Sequence, residues 1–123
     1  MKIGDKHSVT VQVTPELTAE HMGSGDMPVL ATPAMVALME RAAKDLVAAE
    51  LPEGETSVGI EMSVSHDRAT PVGAEVTATA EVTEVDGRRV VFSVEAQAGG
   101  AKIGGGRHVR FIVNRERFLK KLQ

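Results

Sequence analysis

The sequence contains no cysteine, tryptophan or tyrosine, and only three phenylalanines in 123 residues. Without Cys there are no disulfides, no cysteine nucleophile, no thiolate metal site and no iron–sulfur cluster, which fits a reducing compartment. So few aromatics argue against a protein that stacks unpaired bases. A positive excess is missing too. The net charge of −3 has the wrong sign for a chain that tracks a phosphate backbone, so no nucleic-acid partner is expected. No run approaches the ~18 apolar residues that span a bilayer. The stretch MKIGDKHSVT lacks the apolar region of a secretory signal. A soluble, cytoplasmic protein without membrane contact is expected. His7, His21 and His108 have no metal-ligand spacing, so no metal is expected.

What is present is ordinary for a globular domain: 42% apolar and 25% charged residues, with Val and Ala supplying much of the apolar content. The length suits a single domain over 1–123. Residues 7–13 alternate with Val9, Val11 and Val13 in one phase, the pattern of a strand ended at Thr14-Pro15. Residues 15–31 carry Gly23, Gly25 and Pro28 and read as a long loop with one short helical turn. Thr32-Pro33 then opens the one long helix, Thr as N-cap and Pro in the first turn. Met35, Met39, Ala42, Leu46 and Ala49 follow at helical spacing, widened by Val36, Ala43 and Val47, until Leu51-Pro52-Glu53-Gly54 ends it.

The remainder predicts strands. Val58, Ile60, Met62 and Val64 alternate with Gly59, Glu61, Ser63 and Ser65, and the same phase points His66 inward. Val76, Ala78, Ala80 and Val82 form a second alternating run, and Val90, Phe92, Val94 and Ala96 a third. Asp86-Gly87 between them signals a hairpin. Gly99-Gly100 is a further turn, and residues 101–113 make a last strand softened by Gly104-Gly105-Gly106. Asn114 is placed to cap a short amphipathic helix with Phe118 and Leu122. The expected class is α+β: a five-stranded antiparallel sheet wrapped around one long central helix.

That architecture resembles the hotdog fold, and particular residues narrow the likeness. Ala31-Thr32-Pro33-Ala34-Met35-Val36-Ala37-Leu38-Met39-Glu40 resembles the helix start of the fluoroacetyl-CoA thioesterase-like family. Ser57-Val58-Gly59 followed by Val64-Ser65-His66 does so too, as does Gly106-Arg107-His108-Val109-Arg110. The resemblance implies an acyl-CoA thioesterase acting on a small or medium acyl group. It places the catalytic set at Thr32, Glu40 and His66 and the substrate-binding positions at Gly59 and Arg110. It also implies no cofactor, and a homodimer with the active site at the subunit interface. One departure is visible. The family's segment before the Thr is longer and bears aromatics, whereas Gly23-Ser24-Gly25-Asp26-Met27-Pro28 is short and has no Phe. This points away from fluoroacetyl-CoA while leaving the thioesterase chemistry intact.

The residues alone leave alternatives open. Glu40 has Lys44 at i,i+4, a pair worth a few tenths of a kcal/mol on an exposed helix face. Thr32 serves as a cap whether or not it meets substrate. His66 at a strand end can be purely structural. Gly59 and the Gly104–Gly106 run fit bulges as well as backbone contact with a ligand. Arg107 and Arg110 can face CoA phosphates or simply solvent. A non-catalytic hotdog protein that binds an acyl thioester or a partner is the alternative function. A hydratase is disfavoured because no Asp-x-Asn-x-x-His stretch is present.

Overall fold

A computed structural model describes residues 1–123. Strand β1 (Lys6–Gln12) leads into a 3₁₀ turn at Pro15–Leu17 and a four-residue helix α1 (Ala19–Met22). Helix α2 spans Thr32–Ala48. Four strands follow, β2 (Glu55–His66), β3 (Glu75–Asp86), β4 (Arg89–Ala98) and β5 (Ala101–Asn114), and then the short helix α3 (Arg115–Lys120). All strand pairs are antiparallel, in the order β1-β3-β4-β5-β2. The expected hotdog arrangement of one five-stranded sheet around one long helix is present, and β1 and β2 are its edges.

The periodicities explain why. On α2 the residues Met35, Met39, Ala42, Ala43 and Val47 lie at helical spacing and are fully buried. They meet Val76, Ala78, Ala80 and Val82 of β3 and Phe92, Val94 and Ala96 of β4 in one apolar cluster. Small side chains on both surfaces let the helix lie close to the sheet. Gly104 takes this to its limit: a Cβ there would stand 2.9 Å from Met35 Sδ and 2.4 Å from the Ser65 carbonyl oxygen. The glycine run in β5 is therefore packed against its own chain.

Three expectations shift. Ala31, not Thr32, is the N-cap of α2, and no side chain caps the helix. The Thr32 hydroxyl is thus not committed to the first turn. Leu122 lies beyond α3 and is exposed, whereas Asn114 does cap that helix, its Oδ1 accepting from the Arg117 N–H at 3.0 Å.

The third shift decides the site. The alternation of β2 does not run unbroken from Val58 to Val64. The register with β5 slips between Gly59 and Glu61, leaving Ile60 as an extra, exposed residue. A bulge of this kind reverses the side-chain phase. Met62 and Val64 pack on the core as expected, but before the bulge it is Ser57 and Gly59 that face α2, not Val58 and Ile60.

Candidate active site

Helix α2 and strand β2 run side by side in opposite directions, so the start of one lies at the end of the other. Thr32, in the first turn of α2, meets His66, the last residue of β2. Thr32 Oγ1 is 2.8 Å from His66 Nδ1. The remaining ring nitrogen, His66 Nε2, is buried with no hydrogen-bond partner in the chain. A buried unpaired ring nitrogen costs stability, and such groups concentrate where a ligand or water completes the set. Both residues line a pocket of about 260 Å³ with Ser24, Leu30, Asp67 and Arg68. The start of α2 adds the positive end of a helix to the same place.

Glu40 lies two turns further on, about 12 Å along the axis at 1.5 Å per residue. There the bulge in β2 has turned Gly59 toward it. A Cβ on Gly59 would stand 2.5 Å from Glu40 Oε2, so only glycine lets the carboxylate sit against the strand. Glu40 does not pair with Lys44, which instead binds Asp45 at 2.8 Å. Its partner is Arg110 of β5, whose Nη1 donates to Glu40 Oε2 at 3.2 Å. The Glu40 side chain is 43% exposed while that of Arg110 is 8% exposed, so the arginine holds the carboxylate from beneath.

Arg110 does not face solvent or a phosphate-binding surface. Its Nε donates to Ser57 Oγ at 2.8 Å and its Nη2 to the Ser57 carbonyl oxygen at 3.0 Å. Arg107, by contrast, is on the exposed side and pairs with Glu61. The buried cluster also contains His108, which lies in the stretch Gly106-Arg107-His108-Val109-Arg110 but was given no role from the sequence. Its Nδ1 is 2.8 Å from the Glu61 carbonyl oxygen and its Nε2 is 3.1 Å from Arg110 Nη1. Burial pushes the His108 pKa below its ordinary value; the hydrogen bond to Glu61 opposes this and the Arg110 charge adds to it. Burial also lowers the Arg110 pKa, against the stabilising charge of Glu40. An arginine stays protonated under any such shift.

Within one chain, then, the five expected residues fall into two groups. Thr32 and His66 touch at one end of α2; Glu40, Gly59 and Arg110 cluster two turns away. Ser57 and His108 are additional members of the second group. The signal for His108 was the inward phase of β5, where His108 and Arg110 precede Ile112; Ser57, on β2, is brought in by the phase reversal at the bulge.

The family profile described as fluoroacetyl-CoA-specific thioesterase matches residues 13–116. The chain is 37% identical to the fluoroacetyl-CoA thioesterase of Streptantibioticus cattleyicolor, over 100% of this chain and 93% of that protein. It is similar to a solved structure of the fluoroacetyl-CoA thioesterase, with a TM-score of 0.93 and 38% identity, covering 99% of this chain and 95% of the other. It is also similar to a thioesterase superfamily member from Thermus thermophilus. There the TM-score is 0.89 and the identity 31%, over 98% of this chain and 92% of the other.

Proposed function

The chain belongs to the fluoroacetyl-CoA-specific thioesterase family, and from that premise we propose that it hydrolyses the thioester of a small or medium acyl-CoA with Glu40, Thr32 and His66 as its catalytic set. The observation that carries this reading is Glu40 itself. A half-exposed carboxylate is seated against a glycine by a buried arginine.

The roles follow from the groups. Hydrolysis adds water to the carbonyl carbon and breaks the C–S bond, releasing a carboxylic acid and the CoA thiol. Glu40 either takes a proton from the attacking water or adds to the carbonyl itself, forming an anhydride that water then opens. Thr32 holds the water or the acyl oxygen. His66, oriented through Nδ1 by Thr32, delivers a proton from Nε2 toward the departing sulfur. The Gly59 amide and the N-terminus of α2 polarise the carbonyl. Arg110 contributes to acyl binding from below Gly59, not by meeting CoA phosphates.

The gap of about 12 Å between Thr32 and Glu40 exceeds hydrogen-bond or one-water reach. A homodimer removes the gap. Strand β2 is a twelve-residue edge with exposed Ile60, and an edge of that length invites pairing with a second copy. Antiparallel pairing of two β2 edges about an axis near Met62 and Ser63 sets Gly59 of one chain level with the partner subunit's His66. Each site then takes Glu40, Gly59 and Arg110 from one protomer and Thr32 and His66 from the other.

The acyl group is small or medium, and the segment before Thr32 points away from fluoroacetyl. The segment before Thr32 is folded back on α1 by its own backbone, Glu20 N–H to the Met27 carbonyl and Ala19 N–H to the Val29 carbonyl. It carries no aromatic side chain. The test is steady-state release of CoA thiol from a panel of acyl-CoAs of increasing chain length by the wild type, Glu40→Ala and Thr32→Ala. Turnover of short members that collapses in both variants supports the reading. Acyl-CoA binding without turnover in the wild type overturns it in favour of a binding protein.

A further inference from the structure

We infer that His108 is a positioning residue for Glu40, acting through Arg110. This rests on the proposal that Glu40 carries thioester hydrolysis.

The argument starts from what each partner can do. A carbonyl oxygen only accepts, so the contact of His108 Nδ1 with the Glu61 carbonyl at 2.8 Å requires the proton on Nδ1. A guanidinium only donates, so the contact of His108 Nε2 with Arg110 Nη1 at 3.1 Å requires a lone pair on Nε2. One form of the ring satisfies both: the neutral imidazole protonated on Nδ1. The surroundings favour that form. The ring is 1% exposed, it stacks on Phe92 with centroids 6.1 Å apart, and the Arg110 cation opposes a second positive charge beside it.

Arg110 Nη1 carries two hydrogens. His108 takes one and Glu40 the other. Ser57 fixes the opposite side of the guanidinium through its hydroxyl and carbonyl oxygens. With three of the four contacts on strand groups, the plane of the guanidinium is set, and the second Nη1 hydrogen points at Glu40 Oε2. This matters because Glu40 has a competitor for its carboxylate on its own helix: Lys44, one turn on, is held elsewhere by Asp45. If Arg110 turns, the exposed carboxylate is free to swing toward solvent.

The same network explains why the bulge is built where it is. The slip at Ile60 turns Gly59 toward Glu40 and, one residue later, brings the Glu61 carbonyl to His108. One backbone irregularity thereby supplies both the seat for the carboxylate and the acceptor that fixes the histidine tautomer.

Three substitutions separate the two hydrogen bonds. Gln at 108 places an acceptor oxygen near the Nε2 position, Asn places a donor near Nδ1 but no acceptor toward Arg110, and Leu places neither. Each is assayed for kcat and KM on the best acyl-CoA of the panel, with circular dichroism melts to establish that it folds. We expect His108→Gln to stay within about threefold of wild-type kcat. His108→Asn and His108→Leu should lose on the order of ten- to a hundredfold in kcat, with KM nearly unchanged. A folded Asn or Leu variant with wild-type kcat overturns the inference, as does a Gln variant as impaired as Leu. Long-range ¹⁵N–¹H correlation spectra of the wild-type imidazoles keep the matter testable even if the variants do not fold. A neutral ring protonated on Nδ1 at pH 7 to 8 is required, and an imidazolium or an Nε2–H tautomer there contradicts it. Glu40→Ala distinguishes the two levels. If it hydrolyses as fast as the wild type, the functional reading falls and this role with it. If it is inactive while folded His108→Leu keeps the wild-type kcat, only the present inference falls.

Discussion

The Thr32 hydroxyl lies 2.8 Å from His66 Nδ1, and no helix-capping bond competes for it. A threonine at a helix start ordinarily bonds an N–H of the first turn, and losing that bond costs about 0.5–2 kcal/mol. Here that duty is absent. Thr32→Ala is therefore expected to change stability by no more than about 0.5 kcal/mol, as at an ordinary surface position. Its kcat/KM should fall by about a hundredfold, and Thr32→Ser should restore most of the loss. Urea melts and acyl-CoA kinetics on the same preparations check both halves. A stability loss of the size of a lost cap would contradict the geometry.

Gly59 makes a prediction of the opposite kind, in which space and not a hydrogen bond is removed. The backbone at Gly59 is not in the left-handed region, so alanine suits its conformation. Its methyl would meet the far end of the Glu40 side chain at 2.5 Å and His108 Cε1 at 3.1 Å. A carboxylate can swing away, so the protein should fold. Because Glu40 is displaced by roughly an ångström, Gly59→Ala should cost on the order of a hundredfold in kcat/KM. A folded Gly59→Ala with wild-type kinetics would show that the carboxylate position is irrelevant to turnover.

The buried His108 also makes stability depend on pH. Its pKa in the folded chain lies below the ordinary 6.5, chiefly through burial. Between those two values the unfolded chain binds the extra proton and the folded chain does not, so acid favours unfolding. The groups facing the ring are the Glu61 carbonyl, which accepts from Nδ1–H, Arg110, which donates to Nε2, and the Glu40 carboxylate 3.9 Å from Nε2; burial outweighs the upward pull of Glu61 and Glu40. The melting temperature should therefore be flat above pH 6.5 and fall as the pH drops below it. Asp45, whose pKa is lowered chiefly by its hydrogen bond from Lys44, contributes only below the ordinary carboxylate value of 3.8. Melting curves from pH 5 to 8 on the wild type and His108→Gln separate the two: the slope in that window should flatten in the variant.

The fold was legible because its signals are local. Thr32-Pro33, the Met35–Met39–Ala42–Leu46 spacing and the alternating valines each report on a few adjacent residues, and each element formed where they pointed. The bulge at Ile60 was not legible, because an inserted residue leaves an alternating pattern looking continuous: Val58, Ile60, Met62 and Val64 read as one face, yet the face changes between them. Gly59 was the only local trace of it. The Arg110 cluster was hidden for another reason. Ser57 and Arg110 are 53 residues apart in the chain, and only strand pairing brings them together. Inward-phased polar residues on β5 were the available hint, and they do not name their partners. Thr32, Glu40 and His66 were named from a resemblance in sequence, but that Thr32 and His66 meet at the start of α2 while Glu40 lies two turns along it is visible only in three dimensions.

In the proposed homodimer, that division makes a working site the joint product of two chains. The direct measurement is thioester hydrolysis by Thr32→Ala, by Glu40→Ala, and by an equimolar mixture of the two after subunit exchange. Each variant alone should be nearly inactive. In the mixture, half the dimers are mixed and one of their two sites is intact, so activity should recover to about one quarter of wild type. Recovery at that level would place Glu40 and Thr32 in one shared site. A mixture as inactive as its components, or either variant alone at wild-type rate, would contradict it.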